Sequence, residues 1–266
     1  VRRRSALLAL ALLGGCASAL HEPPPVSALA PGAAGGRSAA ELLREADAAW
    51  ARRADPREAT AAQALYLDAA AADERSAAGL LGAMRAITFR LEREPDAGAR
   101  GRLAAEGVQL GQWCQRRAPR EAACDYRLAI ALGQQARERP STGKDALGMM
   151  VELLKKTIAA APSLDEGGPH RVLAIVYLRA PGWPLGPGDP EAALEEARAA
   201  AGLFPDAAGN QVALGEALGK NGAAAESRAA YERALALATA AQSRGDPDAG
   251  RAREEAEKAL GESPGR

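Results

Sequence analysis

Aromatic side chains are scarce in this chain: Trp, Tyr and Phe make up 3% of its 266 residues. That scarcity excludes a large aromatic-lined pocket and a platform for stacking single-stranded bases. Val, Ile and Thr together number only about sixteen, too few for a sheet protein of this length. No charge of either sign is in excess, with 34 basic and 34 acidic residues, so the basic footprint of a nucleic-acid binder is missing. Two histidines (His21, His170) and three cysteines (Cys16, Cys114, Cys124) offer no zinc-ligand spacing and no Cys/His pair for nucleophilic catalysis. Carboxylates abound, but neighbours such as Glu195 and Glu196 point different ways on a helix and read as solvated faces. No enzyme activity and no cofactor are therefore expected. What is plentiful is alanine, about a quarter of the chain, with Leu, Glu, Arg and Gln. These are helix formers, and the expected fold class is all-α.

The chain opens on Arg2, Arg3 and Arg4, then a short apolar run over residues 6–13, well under the ~20 residues that span a bilayer. Leu13-Gly14-Gly15-Cys16 follows. This resembles the lipobox of bacterial lipoproteins, an aliphatic residue and two small ones before a cysteine. The resemblance implies a signal peptide over residues 1–15, cleavage before Cys16, and acylation of its thiol and new amino group. Ala17 rather than Asp after the cysteine implies sorting to the outer membrane in preference to the inner. The alternative is an ordinary secretory signal with a chance cysteine. Residues 16–38, rich in Pro, Gly, Ala and Ser, read as a flexible tether that cannot bury a core. Fully extended, it would reach up to ~60 Å from the lipid.

From residue 39 to 261 the chain alternates helical stretches with Pro or Gly breaks. Repetition at this scale suggests a solenoid. The clearest unit has Leu214-Gly215 in one helix, a turn at Lys220-Asn221-Gly222, and Ser227, Tyr231 and Ala234 in the next. It resembles the tetratricopeptide repeat, in which small residues let two antiparallel helices approach and an aromatic fills the gap to the next pair. Ala62, Tyr66 and Ala69 repeat the small-aromatic-small spacing, and Leu81-Gly82 repeats the Leu-Gly pair. Five helical hairpins are expected, at about 39–74, 75–119, 120–162, 163–205 and 206–240. A terminal helix near 246–260 would cap the last apolar face.

Residues 165–205 are the most distinctive. They contain Gly167-Gly168-Pro169-His170-Arg171, a helix, then the loop Ala180-Pro181-Gly182-Trp183-Pro184-Leu185-Gly186-Pro187-Gly188-Asp189-Pro190. These motifs resemble the T component of TRAP-type transporters (the TatT family), tetratricopeptide-like periplasmic lipoproteins. The resemblance implies a role beside the soluble substrate-binding P component, with a hydrophobic or organic-acid ligand as a candidate cargo. It leaves a homo-oligomer open. Independently of it, Asp189 reads as an N-cap with Pro190 at the first helical position. Trp183 on its proline-stiffened loop is a candidate partner contact, or else a plug that packs back over the array. Arg171 sits in a first helical turn, where the dipole disfavours a cation. It is either held by an acid or faces an anionic ligand, and Tyr177 beyond it is grouped with it as a candidate binding residue. Cys114 and Cys124 flank the turn at Pro119 and are expected to form a disulfide, the alternative being two buried thiols. The competing function is a general scaffold lipoprotein for envelope assembly, with no transported ligand.

Overall fold

The computed structural model describes residues 18–30, 32 and 36–262, so Cys16 and the expected signal peptide lie outside the described residues. The helices are α1 (Val26–Leu29), α2 (Ala39–Ala51), α3 (Pro56–Ala72), α4 (Ala78–Arg93), α5 (Ala97–Arg117) and α6 (Ala122–Glu138). They continue with α7 (Gly143–Ala160), α8 (Gly168–Arg179), α9 (Pro190–Leu203), α10 (Ala208–Lys220), α11 (Ala224–Ser243) and α12 (Ala249–Glu262). Among the described residues there is no strand, only an isolated bridge between Gly182 and Gly188. From α2 to α11 the helices pair as five antiparallel hairpins, each stacked on the next, and α12 covers α11. This is the expected helical-hairpin solenoid.

Local signals start several of the helices. Ser38 and Glu41 form a capping box at α2, with Ser38 N–H donating to Glu41 Oε2 at 2.8 Å. Asp55 caps α3 ahead of Pro56, and Asp96 caps α5 by accepting from Ala99 N–H at 2.7 Å. The buried layer between hairpins is mostly small. Ala46, Ala62, Ala83 and Ala104 in the first two hairpins, and Ala193, Ala197, Ala217 and Ala234 in the last two, are almost fully covered. Large side chains enter opposite glycines. Tyr66 of α3 lies flat on Gly82 of α4, so that a β-carbon there would overlap its ring. Tyr231 of α11 lies on Gly215 of α10, where a β-carbon would meet the ring at 3.0 Å. The Leu-Gly signal thus meets its aromatic in both places, once between hairpins and once within one.

The amino-terminal segment departs from the expected free tether. Ala19 is fully buried, its N–H donating to Asp145 Oδ2 at 2.8 Å. Glu22 accepts two bonds from Arg116 at 2.7 and 2.8 Å, and the Pro24 carbonyl accepts from Trp113 Nε1 at 2.7 Å. Val26 is buried in the first core cluster. Residues 18–30 are therefore a strap laid across α7, α5 and α3, the second helices of the first three hairpins. Composition correctly says that the segment has no core of its own. The array supplies one, together with an indole donor and a guanidinium that need acceptors.

The two ends of the array also touch. Arg53, between α2 and α3, pairs with Asp248 ahead of α12 at 2.6 Å while stacking 4.6 Å from the Trp50 ring. Arg93 of α4 donates to the Pro247 carbonyl at 2.7 Å and stacks over Phe89, and Arg251 of α12 pairs with Glu92 of α4. The α12 helix caps the last hairpin through Ala252 and Ala256, beside Val212 and Ala234, and also latches it to the second.

Close approach and open space give opposite expectations for two glycines. Gly82→Ala should destabilise the protein by about 1–3 kcal/mol, since the Tyr66 ring must shift. Gly101→Ala, on a stretch of α5 with nothing within 4 Å, should stabilise it by about 0.5–1 kcal/mol. Urea unfolding midpoints of the two variants check the pair.

Candidate interaction surface

The segment between α7 and α9 is held by a polar knot. Asp165, Glu166 and Gly167 all adopt left-handed backbone, with φ of 51°, 54° and 75°, which turns the chain tightly into α8. Gly168 then passes so close to Tyr126 of α6 that any β-carbon would overlap the phenol. The Tyr126 hydroxyl donates to Asp165 Oδ2 at 2.7 Å, and Arg127 and Arg171 each lie 3.7 Å from that carboxylate. Arg171 donates to Asn210 Oδ1 at 2.7 Å, while the buried Asn210 amide donates to the Ala200 and Phe204 carbonyls at 3.0 and 3.1 Å. Burial pulls the Asp165 carboxyl upward. The Arg127 guanidinium, the Tyr126 hydroxyl and Arg171 outweigh that and hold it below the usual value. Burial, with the facing carboxylate, pushes the Tyr126 hydroxyl up.

Two candidate binding residues are thereby reassigned. Arg171 joins α8 to α10 and is committed to internal partners, so it is not aimed at a ligand. Tyr177 is 9% exposed and packs in the second core cluster, because its position on α8 faces α6 and α7. Gly167, Gly168 and Pro169 serve the turn into α8. The residues that sequence reasoning missed are Tyr126, Asp165 and Asn210. Ala122, Tyr126 and Ala129 repeat the small-aromatic-small spacing, which was the available signal for the first of them. His170 Nδ1 pairs with Glu196 at 2.6 Å, linking α8 to α9.

The loop from Ala180 to Asp189 is pinned at its base. Gly188 N–H donates to the Pro181 carbonyl at 2.8 Å, and Asp189 N–H to the Tyr177 carbonyl at 3.0 Å. Gly188 has no room for a side chain, since a β-carbon would overlap the Ala180 carbonyl. Asp189 caps α9, accepting from Glu191 and Ala192 N–H at 3.1 and 3.0 Å, with Pro190 first in the helix. Above this base the Trp183–Pro184 peptide is cis. Trp183 is 90% exposed and Leu185 74%. The indole does not plug the array. It stands in solvent with an aliphatic neighbour, on a loop fixed at both feet.

Two surface clefts complete the picture. One, of about 500 Å³, lies beside the strap and is lined by Val26, Trp113, Arg116 and Arg117 among others. The other, of about 430 Å³, lies under the latch between the ends of the array, with Arg100, Arg137, Arg179 and Arg251 facing Glu92, Glu94 and Glu255. Its arginines are neutralised locally: Arg100 by Glu138 at 3.1 Å, Arg179 by Glu216 at 2.9 Å. Among the described residues no group of three His, Cys, Asp or Glu side chains is placed to hold a metal ion. Cys114 and Cys124 are joined across the α5–α6 turn, with sulfurs 2.00 Å apart and α-carbons 5.3 Å apart.

Known proteins match this geometry in shape. A thermophilic tetratricopeptide-repeat protein from Thermus thermophilus superposes with a TM-score of 0.60 at 20% identity, over 84% of this chain and 99% of its own. The fold is that of a tetratricopeptide array. No protein-family profile matches the chain, nor does any curated protein. The Cys16 signal, the tryptophan loop and the turn into α8 therefore stand on their own residues.

Two expectations follow from the knot and the loop. Asp165→Asn should lower stability at neutral pH by about 1–3 kcal/mol, through loss of its charged partners. Because the folded carboxyl titrates below the usual 3.8, the contribution of its charge is complete above that value. It fades as the pH falls through the lower folded value, so the gap between variant and parent should close in acid. Unfolding midpoints measured from about pH 7 down to about pH 2.5 test this. Trp183→Ala, at an exposed site, should move the unfolding free energy by about 0.5 kcal/mol or less, read by thermal melts.

Proposed function

We propose that this chain is a non-catalytic, lipid-anchored periplasmic scaffold, working beside the substrate-binding P component of a TRAP-type transporter. The observation that carries the reading is the stacked-hairpin array, built around the one segment that resembles T components. In that segment the glycines, arginine, cap and loop each have a geometric task. Stacked hairpins offer extended surface for a protein partner, and tetratricopeptide folds are generally binding scaffolds. Anchoring rests on the resemblance of residues 13–16 to a lipobox. The charged cleft under the latch is unsuited to a hydrophobic molecule, because transferring an apolar ligand there would strand paired charges.

The alternative, a general envelope-assembly scaffold, keeps the array and the anchor and removes the transported cargo. Co-expression with a substrate-binding P component of a TRAP-type transporter should give a complex that co-elutes on size exclusion. Mass spectrometry of the membrane-extracted protein should find Cys16 acylated at a new amino terminus. An acylated protein that forms no such complex, yet captures extended peptides, supports the alternative. An unmodified Cys16 removes the anchor.

A further inference from the structure

The head of the strap and the tryptophan loop lie on the third and fourth hairpins, which are stacked on each other. In the third and fourth hairpins the turns joining the paired helices lie at one edge, and the turn between the two hairpins lies at the other. The α6–α7 turn and the loop of residues 180–189 are neighbours on the first edge, because α7 packs against α8 in antiparallel fashion. The strap starts there. Ser18 Oγ and Ala19 N–H both bond Asp145, in the first turn of α7, at 3.5 and 2.8 Å. From that point the strap runs toward the opposite edge, where Pro24 meets Trp113 and Glu22 meets Arg116 near the end of α5. The direction of the strap is thus set by contacts at three residues of the array, Asp145, Arg116 and Trp113.

One residue, Ala17, separates Ser18 from Cys16, a reach of about 7 Å at most. A lipid on Cys16 would therefore leave the molecule beside the α6–α7 turn, and the bilayer would lie against that edge. The same edge carries Trp183 and Leu185, the two most exposed large apolar side chains among the described residues. Arg139 and Lys144 are exposed on the adjoining turn. An exposed indole beside an aliphatic side chain is the composition that settles at a bilayer interface, with the indole at headgroup depth.

The geometry points to this edge as a membrane-seating surface. Trp183 and Leu185 insert into the interface of the leaflet that holds the Cys16 lipid, and the strap keeps the array close to that leaflet rather than at the end of a long leash. The inference rests on the lipid-anchor reading for its attachment point, and the occupant it assigns to the loop is lipid and not protein.

The test uses the full-length protein in vesicles of phosphatidylethanolamine and phosphatidylglycerol, with brominated acyl chains as quenchers of tryptophan emission. Acylated protein from membranes is compared with its Trp183→Phe variant, so that the difference reports Trp183 alone. Quenching in the parent that falls at least two-fold in Trp183→Phe supports the surface. Ala19→Arg, which expels the head of the strap, should lower the quenching while the protein stays vesicle-bound. Equal quenching in parent and Trp183→Phe overturns the proposal. So does an unquenched Trp183 whose replacement by Phe abolishes binding to a protein partner, which assigns the loop to that partner. If mass spectrometry finds Cys16 without acyl chains, the anchor reading fails by itself. The unmodified thiol is then coupled to a maleimide lipid and the same comparison made, where absence of a Trp183-specific signal sinks the seating surface independently.

Discussion

Helices lined with alanine and glycine gain little from any one side chain, so they attract each other only when their backbones come close. Close approach is the constraint on which this structure depends. At Gly82 and Gly215 the flat face of a tyrosine rests on bare backbone, and at Gly168 the Tyr126 phenol passes where no side chain could stand. Many weak dispersion contacts at short range work beside the buried leucines of the core. Three of the four tyrosines, Tyr66, Tyr126 and Tyr231, are placed opposite a glycine, where the gap between helices is one ring thick.

Short separations leave no room for mismatched polar groups, and this explains the knot between α6, α8 and α10. The left-handed turn at residues 165–167 frees carbonyls that must find donors: the Asn210 amide donates to the Glu166 carbonyl at 3.0 Å, and Arg171 reaches the Asp165 and Glu166 carbonyls at 3.5 Å. The Asp165 carboxylate then balances two guanidiniums and a phenol in a half-buried setting. The motif that looks most like a binding sequence is thereby largely an account of how one hairpin is joined to the next. What it leaves over for the outside is the loop above α8 and α9, whose feet are bonded and whose apolar tip is not covered.

The hairpin plan was legible because its punctuation is local. Pro56, Pro162, Pro190 and Pro205 mark ends and starts, Leu-Gly pairs mark close contacts, and all five pairs fall near the expected boundaries. Asp189 and Pro190 announce a helix start by chemistry that acts within three residues. Which alternative Arg171 takes, and what Tyr177 packs on, was not legible because a helix position does not reveal which neighbour it meets, and the Asn210 partner of Arg171 lies 39 residues away. The strap was invisible for a similar reason. Its Pro, Ala and Ser residues predict no structure alone, and the groove that orders them comes from α3, α5 and α7. The pairing of Arg53 with Asp248 spans 195 residues of sequence, and no pattern within the repeat foretells it.

That last pairing changes what kind of polymer the array is. A linear stack of repeats holds together by nearest neighbours, so its terminal units fray first and the middle survives them. Here the first two hairpins and the last helix share arginines, prolines and carboxylates across the seam. Peeling away the carboxyl-terminal helix uncovers Arg53 and Glu92 at the opposite end, and loosening the first hairpin strips α12 of its outer partners. The chain is closed like a clasped bracelet, and its two most vulnerable ends guard one another against unravelling.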